Sequence, residues 1–300
     1  MPDRPLIAIT MGDPCGIGPE IVAKALSQPE LWRLCQPLVI GNPAVLQQAL
    51  NAVKGSPGIQ EVASPEDAAK VDKAPVLDPA PDPTLPTLRH GIVSPVAGKA
   101  SAAWVVEAAR LAMEGHVAAI ATAPINKASV HAGGSPDLDH QSIFKRLTGS
   151  PQVLTMLITT GLKVVHLTTH HSLAAACQHV TKENILRALR LIHQFFQSYG
   201  YPSPRIGVAA LNPHAGESGL LGTEEIDAIR PAVETARSQG IDATGPIPAD
   251  SIFVQAINGS YDVVLAMYHD QGHIAVKVHG WSQSITMNLG LPFLRTSVDH

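Results

Sequence analysis

Tyr261-Asp-Val-Val-Leu-Ala-Met-Tyr-His-Asp-Gln-Gly-His-Ile-Ala-Val-Lys277 decides the architecture. Its apolar run, Val263 to Met267, has the length and β-branched character of a strand buried on both faces. The run breaks into Tyr268-His269-Asp270-Gln271-Gly272, a polar stretch with a glycine that predicts a turn. His269 therefore stands just past the carboxyl end of a buried strand, where ligands bind in open α/β sheets.

Two earlier segments repeat the arrangement. Leu162-Lys-Val-Val-His-Leu-Thr-Thr169 predicts a strand followed by His170-His171, and Arg205-Ile-Gly-Val-Ala-Ala-Leu211 a strand followed by Asn212-Pro-His-Ala-Gly-Glu217. Amphipathic helices lie between, one from Thr181 to Gly200, the other opening at Thr223-Glu-Glu-Ile-Asp, kinked at Pro231 and closed by Gly240. Strand, helix, strand, helix, strand is the signature of a parallel sheet with right-handed crossovers. The carboxyl ends of parallel strands share one edge. His170, His214 and His269 can thus converge although they are 44 and 55 positions apart. Three imidazoles and an open position suit a catalytic zinc or a similar divalent ion. Glu217 and Asp270 are placed to orient those imidazoles. The competing account makes each histidine a loop or core residue, and the shared position after three strands weighs against it. His166, inside a strand, and His131 take that plainer role, and His273 is assigned none.

In the N-terminal half, Leu6 to Thr10 predicts a strand and Gly12-Asp-Pro-Cys-Gly-Ile-Gly-Pro-Glu20 a tight turn into a helix, Ile21 to Leu26. Pro19 and Glu20 suit the first turn of that helix. The turn is either purely structural or an anion-binding loop; its glycine spacing is not the dinucleotide fingerprint. Pro37 to Gly41 predicts a strand and Pro43 to Ala52 a helix. Prolines recur from Lys73 to Pro86 and predict a crossover without regular structure. Ser101 is expected to cap a helix ending at Gly115, and Val117 to Thr122 to form a strand leading to Lys127, a solvated lysine or an anion ligand.

Composition excludes several classes. Three hundred residues suffice for about two domains. A formal charge of −4 with no basic block argues against nucleic-acid binding. No apolar run approaches the roughly 20 residues that span a bilayer, and the N-terminus lacks the features of a signal peptide. Cys15, Cys35 and Cys177 are odd in number and show no Cys-x-x-Cys spacing, so neither a disulfide framework nor a cysteine zinc site is expected. A reduced, cytoplasmic, globular protein follows.

Longer motifs narrow the reading. Thr10-Met-Gly-Asp-Pro-Cys-Gly-Ile-Gly-Pro-Glu20, Leu167-Thr-Thr-His170, Leu211-Asn-Pro-His-Ala-Gly-Glu217 and Gly222-Thr-Glu-Glu-Ile226 are four of them. Pro248-Ala-Asp250, Met267-Tyr-His-Asp-Gln-Gly272 and Gly290-Leu-Pro-Phe-Leu-Arg-Thr-Ser-Val-Asp-His300 complete the set. Together they resemble the 4-hydroxythreonine-4-phosphate dehydrogenase family, a pyridoxine biosynthesis enzyme and its catabolic paralogues, from end to end.

The resemblance implies an isocitrate/isopropylmalate dehydrogenase-like α/β fold, with two lobes, a mostly parallel sheet and a cleft. The expected division is 1–125 plus 265–300 for the first lobe and 126–264 for the second, which carries the metal-ligand loops. It implies a homodimer whose active sites use both subunits, with His269 offered across the interface. A divalent ion, zinc or alternatively cobalt, magnesium or manganese, would be held by His170, His214 and His269. By position His140, Gln141, Lys277, Thr286, Asn288 and Arg295 match substrate contacts, and Lys277 and Arg295 have the chemistry of a phosphate clamp. Asp250 resembles another active-site contact, so that His140, Asp250 and Lys277 are the catalytic candidates. Gln141 and Ser142 replace the biosynthetic enzymes' threonine and glutamate, and Thr286 replaces an asparagine, with Asn288 two residues on. Family chains continue past Val298-Asp-His300 into a Gly-Thr-Ala…Ala-Gly segment that contributes to NAD binding, so a fragment of a longer chain is expected. No cofactor-binding residue is assigned.

The reaction so implied oxidises a secondary alcohol with NAD or NADP, after which a β-keto acid loses carbon dioxide. Candidate substrates are 4-phosphooxy-L-threonine, 4-phosphothreonate and 4-phosphoerythronate; a dihydrodiol carboxylate is the catabolic alternative. A metal-dependent hydrolase and a non-catalytic binding protein are the readings from other classes.

Overall fold

The computed structural model describes residues 4–55 and 57–298. Met1, Pro2, Asp3, Ser56 and the Asp299-His300 end of the last motif lie outside the described residues. The strands are β1 Leu6–Thr10, β2 Gln36–Ile40, β3 Ile59–Glu61, β4 Ala74–Leu77, β5 Ala119–Thr122, β6 Leu154–Thr159, β7 Leu162–His166, β8 Ile206–Ala209, β9 Ala243–Ile247, β10 Val263–Ala266, β11 Ile285–Leu289 and β12 Leu294–Val298. Contacts divide the chain into two compact units, residues 4–151 with Leu291–Val298, and Gln152–Gly290. These bounds differ from the expected 1–125 plus 265–300 and 126–264. β10 pairs with β7 and β8, and β11 with β6, so 265–290 stays in the second unit; only β12, parallel to β5, belongs with the first.

The strands of the first unit run β3-β4-β2-β1-β5-β12, every pair parallel. The edge strand β3 is mostly exposed, whereas the inner strands β4, β2 and β1 are largely buried apolar runs, as a parallel sheet covered by helices requires. Helix Pro95–Met113 buries Trp104, Val105 and Ala108 against it. This helix starts earlier than expected. Ser94 caps it by accepting the Ala97 N–H, while Ser101 lies inside and donates to Ala97 O. The proline-rich stretch holds a strand after all: Ala74, Pro75, Val76 and Leu77 are all buried in β4, where apolar burial outweighs proline's missing donor. At Gly12, with φ +75, an added Cβ would lie 2.4 Å from Pro124 O. The glycine-rich turn thus lets two backbones meet.

In the second unit the order is β11-β6-β7-β10-β8-β9. β6 runs antiparallel to β7 and β11, and the others are parallel. The three strands preceding His170, His214 and His269 are therefore neighbours, with β10 between β7 and β8. The turn expected after β10 is instead the first turn of helix His269–Gly280, with Tyr268 extended at its N-cap. Gln271 makes the join rigid: its Oε1 accepts the Met267 N–H and its Nε2 donates to Ala210 O, each at 2.7 Å. Across the antiparallel strands Asn288 pairs with Thr155 and Thr155 with His166, one row on one face of the sheet. Helix His269–Gly280 lies on that face. No helix among the described residues is long and apolar enough to cross a membrane.

Candidate active-site clusters

Two clusters hold most of the candidate residues. In the second unit helix His269–Gly280 presents His269, His273 and Lys277 at a spacing of four, one stripe of an α-helix. These three, with Trp281, line an open groove of about 430 Å³. The Lys277 ammonium lies 5.7 Å from the Trp281 ring centre. His269 donates Nδ1–H to Asp270 Oδ1 at 2.6 Å. That carboxylate contact leaves Nε2 as the nitrogen for a metal. His170, beyond β7, brings its ring centre within 6.1 Å of that of His269. Thr286 and Asn288 sit two residues apart on β11, Asn288 buried, on the face that carries the helix.

His166 and His273 belong to the same cluster, which the sequence reading missed. Their nitrogens, Nε2 of His166 and Nδ1 of His273, are 3.1 Å apart, and the rings of His273 and His269 stack at 3.5 Å with 13° between planes. Burial holds His166 neutral and lowers its pKa from 6.5 to about 3. An unfolded chain takes up a proton on this ring below pH 6.5 and the folded one does not. This stability is present above pH 6.5 and is lost as the pH falls toward 3. Between pH 7 and 5 the native chain should therefore lose about 2 kcal/mol more stability than His166→Leu. Urea denaturation of both proteins at the two pH values checks this, and equal losses would refute it.

His214 follows β8 in an unusual backbone. His214, Ala215, Gly216, Glu217 and Ser218 all have positive φ, between 46 and 79°, one left-handed turn. Non-glycine residues avoid this region by roughly 1–2 kcal/mol each, so the surroundings must hold it. Buried Glu225 does so. Its Oε1 accepts the N–H groups of Leu211 and Asn212 at 2.8 and 2.7 Å, and its Oε2 the Asn212 amide at 2.9 Å. Glu217, expected to orient an imidazole, is exposed in this turn.

In the first unit His140 begins helix His140–Thr148. Asp139 caps it by accepting the Ser142 N–H at 2.9 Å, and the Ser142 hydroxyl returns to Asp139. Ser142, a departure from the family motif, thus keeps a structural task, while Gln141 is half-buried beside it. Phe144, one turn on, stacks with His140 at 6.4 Å, and the Arg295 guanidinium lies 5.8 Å over its ring. Arg295 is buried in β12 and donates to Thr122 Oγ1 at 2.6 Å. Burial pulls its pKa down to about 10, with Asp139 opposing, so it stays charged at neutral pH. A buried guanidinium suits an anionic ligand. Asp250 is exposed in the first turn of helix Ala249–Ile257.

The three-histidine metal site is an expectation from the sequence. Among the described residues no group of three or more histidine, cysteine, aspartate or glutamate side chains is placed to hold an ion. His170 and His269 have a spacing compatible with two ligands of one ion, but His214 is not in their group. The donor chemistry still fits: three imidazoles, one already oriented by a carboxylate.

Known proteins match this chain over nearly its whole length. A family model described as pyridoxal phosphate biosynthetic protein PdxA matches residues 33–300. The D-threonate 4-phosphate dehydrogenase of Cupriavidus necator is 42% identical over 298 residues, covering 99% of this chain and 89% of that protein. A Symbiobacterium thermophilum protein that bears the same name provisionally is 44% identical over 300 residues, 100% of this chain and 90% of its own. The crystal structure of 4-hydroxythreonine-4-phosphate dehydrogenase from Klebsiella pneumoniae matches with a TM-score of 0.89 at 40% identity, covering 99% of this chain and 90% of that one.

Proposed function

Because this chain belongs to the PdxA family, dehydrogenases of a CH–OH group that use a nicotinamide cofactor, we propose that it oxidises D-threonate 4-phosphate with NAD(P) and that the β-keto acid formed loses carbon dioxide. The 42% identity to the Cupriavidus enzyme named for that substrate, over 298 residues, carries the reading. 4-Phosphooxy-L-threonine, with an amino group where threonate has a hydroxyl, is the second choice, supported by the Klebsiella structure. An isocitrate/isopropylmalate dehydrogenase-like fold and a cytoplasmic location go with this proposal.

In this reading Arg295 and Lys277 are the phosphate-binding cations, and His140 and Asn288 hold the hydroxy acid so that its carbinol C–H faces the nicotinamide. Hydride leaves that carbon for the nicotinamide while His140 or Asp250 accepts the hydroxyl proton. His170, His214 and His269 would hold a divalent ion, which when bound polarises the reacting oxygen. In this reading the site is shared between two subunits of a homodimer, with His269 offered across the interface. Exposed Ile274, Val278 and Trp281, on and just after the His269 helix, give a homodimer an apolar surface to cover.

The test offers D-threonate 4-phosphate, 4-phosphooxy-L-threonine, 4-phosphoerythronate and a dihydrodiol carboxylate separately, with NAD and with NADP, and follows absorbance of the reduced nicotinamide. The threonate ester should give the highest kcat/KM, and a chelator should abolish turnover until zinc is restored. Preference for another acid would overturn the substrate. Metal-dependent product release without cofactor reduction would instead support the hydrolase.

A further inference from the structure

His166 is a buried polar side chain in a row of the sheet with Thr155 and Asn288. Its hydrogen bonds give it a direction. Nδ1 lies 3.3 Å from Thr155 O and must donate, since a carbonyl only accepts. Nε2 then carries the lone pair. Opposite it, Nδ1 of His273 lies 3.0 Å from His269 O, so that nitrogen also carries a proton, shared between the carbonyl and His166 Nε2 at 3.1 Å. The His273 ring is thereby fixed in both tautomer and rotation. His269 stacks flat on it at 3.5 Å and is held at its own Nδ1 by Asp270. A chain of contacts thus runs from the β6 backbone through His166 and His273 to His269.

We propose that His166 and His273 form a positioning pair that locks the His269 imidazole for metal binding. The inference rests on His269 being a metal ligand, as in the function proposed above. The pair touches neither the metal nor the substrate in this account. It acts by removing the rotations that His269 would otherwise lose on ligation. Groups one contact removed from a metal typically change its affinity 10–100-fold when deleted. Leucine at either position keeps the apolar volume and removes the hydrogen bond.

Zinc affinity of the full chain, measured by competition with a chromophoric chelator, is the readout, with thermal unfolding as the control for folding. His269→Ala tests the premise, and His166→Leu, His273→Leu, the double variant and His166→Gln test the pair. We expect each leucine variant to bind zinc about 10–100-fold more weakly and the double variant to be no weaker than the worse single one. His166→Gln, whose amide oxygen can accept the His273 proton, should stay within about threefold of the native protein. Native affinity in both leucine variants while His269→Ala loses zinc would overturn the pair and spare the ligand assignment. Native affinity in His269→Ala would overturn the ligand assignment itself. Equal loss of melting temperature in His166→Leu and His166→Gln, with zinc affinity unchanged, would reduce His166 to a packing residue and overturn the proposal.

Discussion

Replacing Arg295 by alanine should lower kcat/KM for the phosphorylated hydroxy acid roughly 10²–10³-fold, nearly all of it through KM, because a buried charged contact to a ligand is worth 2–5 kcal/mol. The guanidinium is only 5% exposed, so water cannot replace it. Burial leaves its pKa near 10, and the charge persists across the working pH range. Its position is set by the strand pairing of β12 with β5, by the Thr122 hydroxyl and by the Phe144 ring. Arg295→Lys should fall between the two, since it keeps the charge and loses the planar fork that binds two oxygens at once. Steady-state kinetics with a melting curve for each variant checks this. An alanine variant with native KM would remove Arg295 from the substrate contacts.

What the sequence made visible follows from how far each signal reaches along the chain. β7, β8 and β10 are short apolar runs ended by polar residues, and their order with helices between them fixes a parallel arrangement. That their carboxyl ends share one edge followed from the parallel arrangement, whereas the place of β10 between β7 and β8 did not. The helix beginning at His269 was hidden. Its first turn is polar, and the grip of Gln271 on Met267 and Ala210 spans 61 positions for one of the two bonds. The tie between His166 and His273 spans 107 positions and has no periodicity to betray it. A histidine inside a strand looks like core until its partner is known. The Phe144 contact with Arg295 is equally long-range, whereas the Asp139 cap that places His140 is local. The left-handed turn at His214 gave no sign either, because only Gly216 among its residues is of the type that favours such a backbone.

Gly272→Ala should destabilise the second unit by driving a single methyl group into the sheet. Gly272 lies in the first turns of helix His269–Gly280, and a Cβ there would sit 2.3 Å from His166 Nε2 and 2.7 Å from Val164 Cγ1. Neither neighbour can give way easily: His166 is held by Thr155 and His273, and Val164 is fully buried between paired strands. Alanine would gain up to about 1 kcal/mol of helix propensity. Overpacking costs typically 1–3 kcal/mol, and the lost histidine contact costs about 1 kcal/mol more. A net destabilisation of about 1–3 kcal/mol is therefore expected by urea denaturation. Zinc affinity should drop by about as much as in His273→Leu, because lifting the helix from β7 separates His273 from His166. The pairing can be checked by a double-variant cycle. His166→Ala removes the ring that the new methyl strikes, so Gly272→Ala should cost less in that background, leaving only the Val164 contact. If Gly272→Ala costs the same in both backgrounds, the helix does not rest on His166, and neither His273 nor His269 is held in place by the sheet.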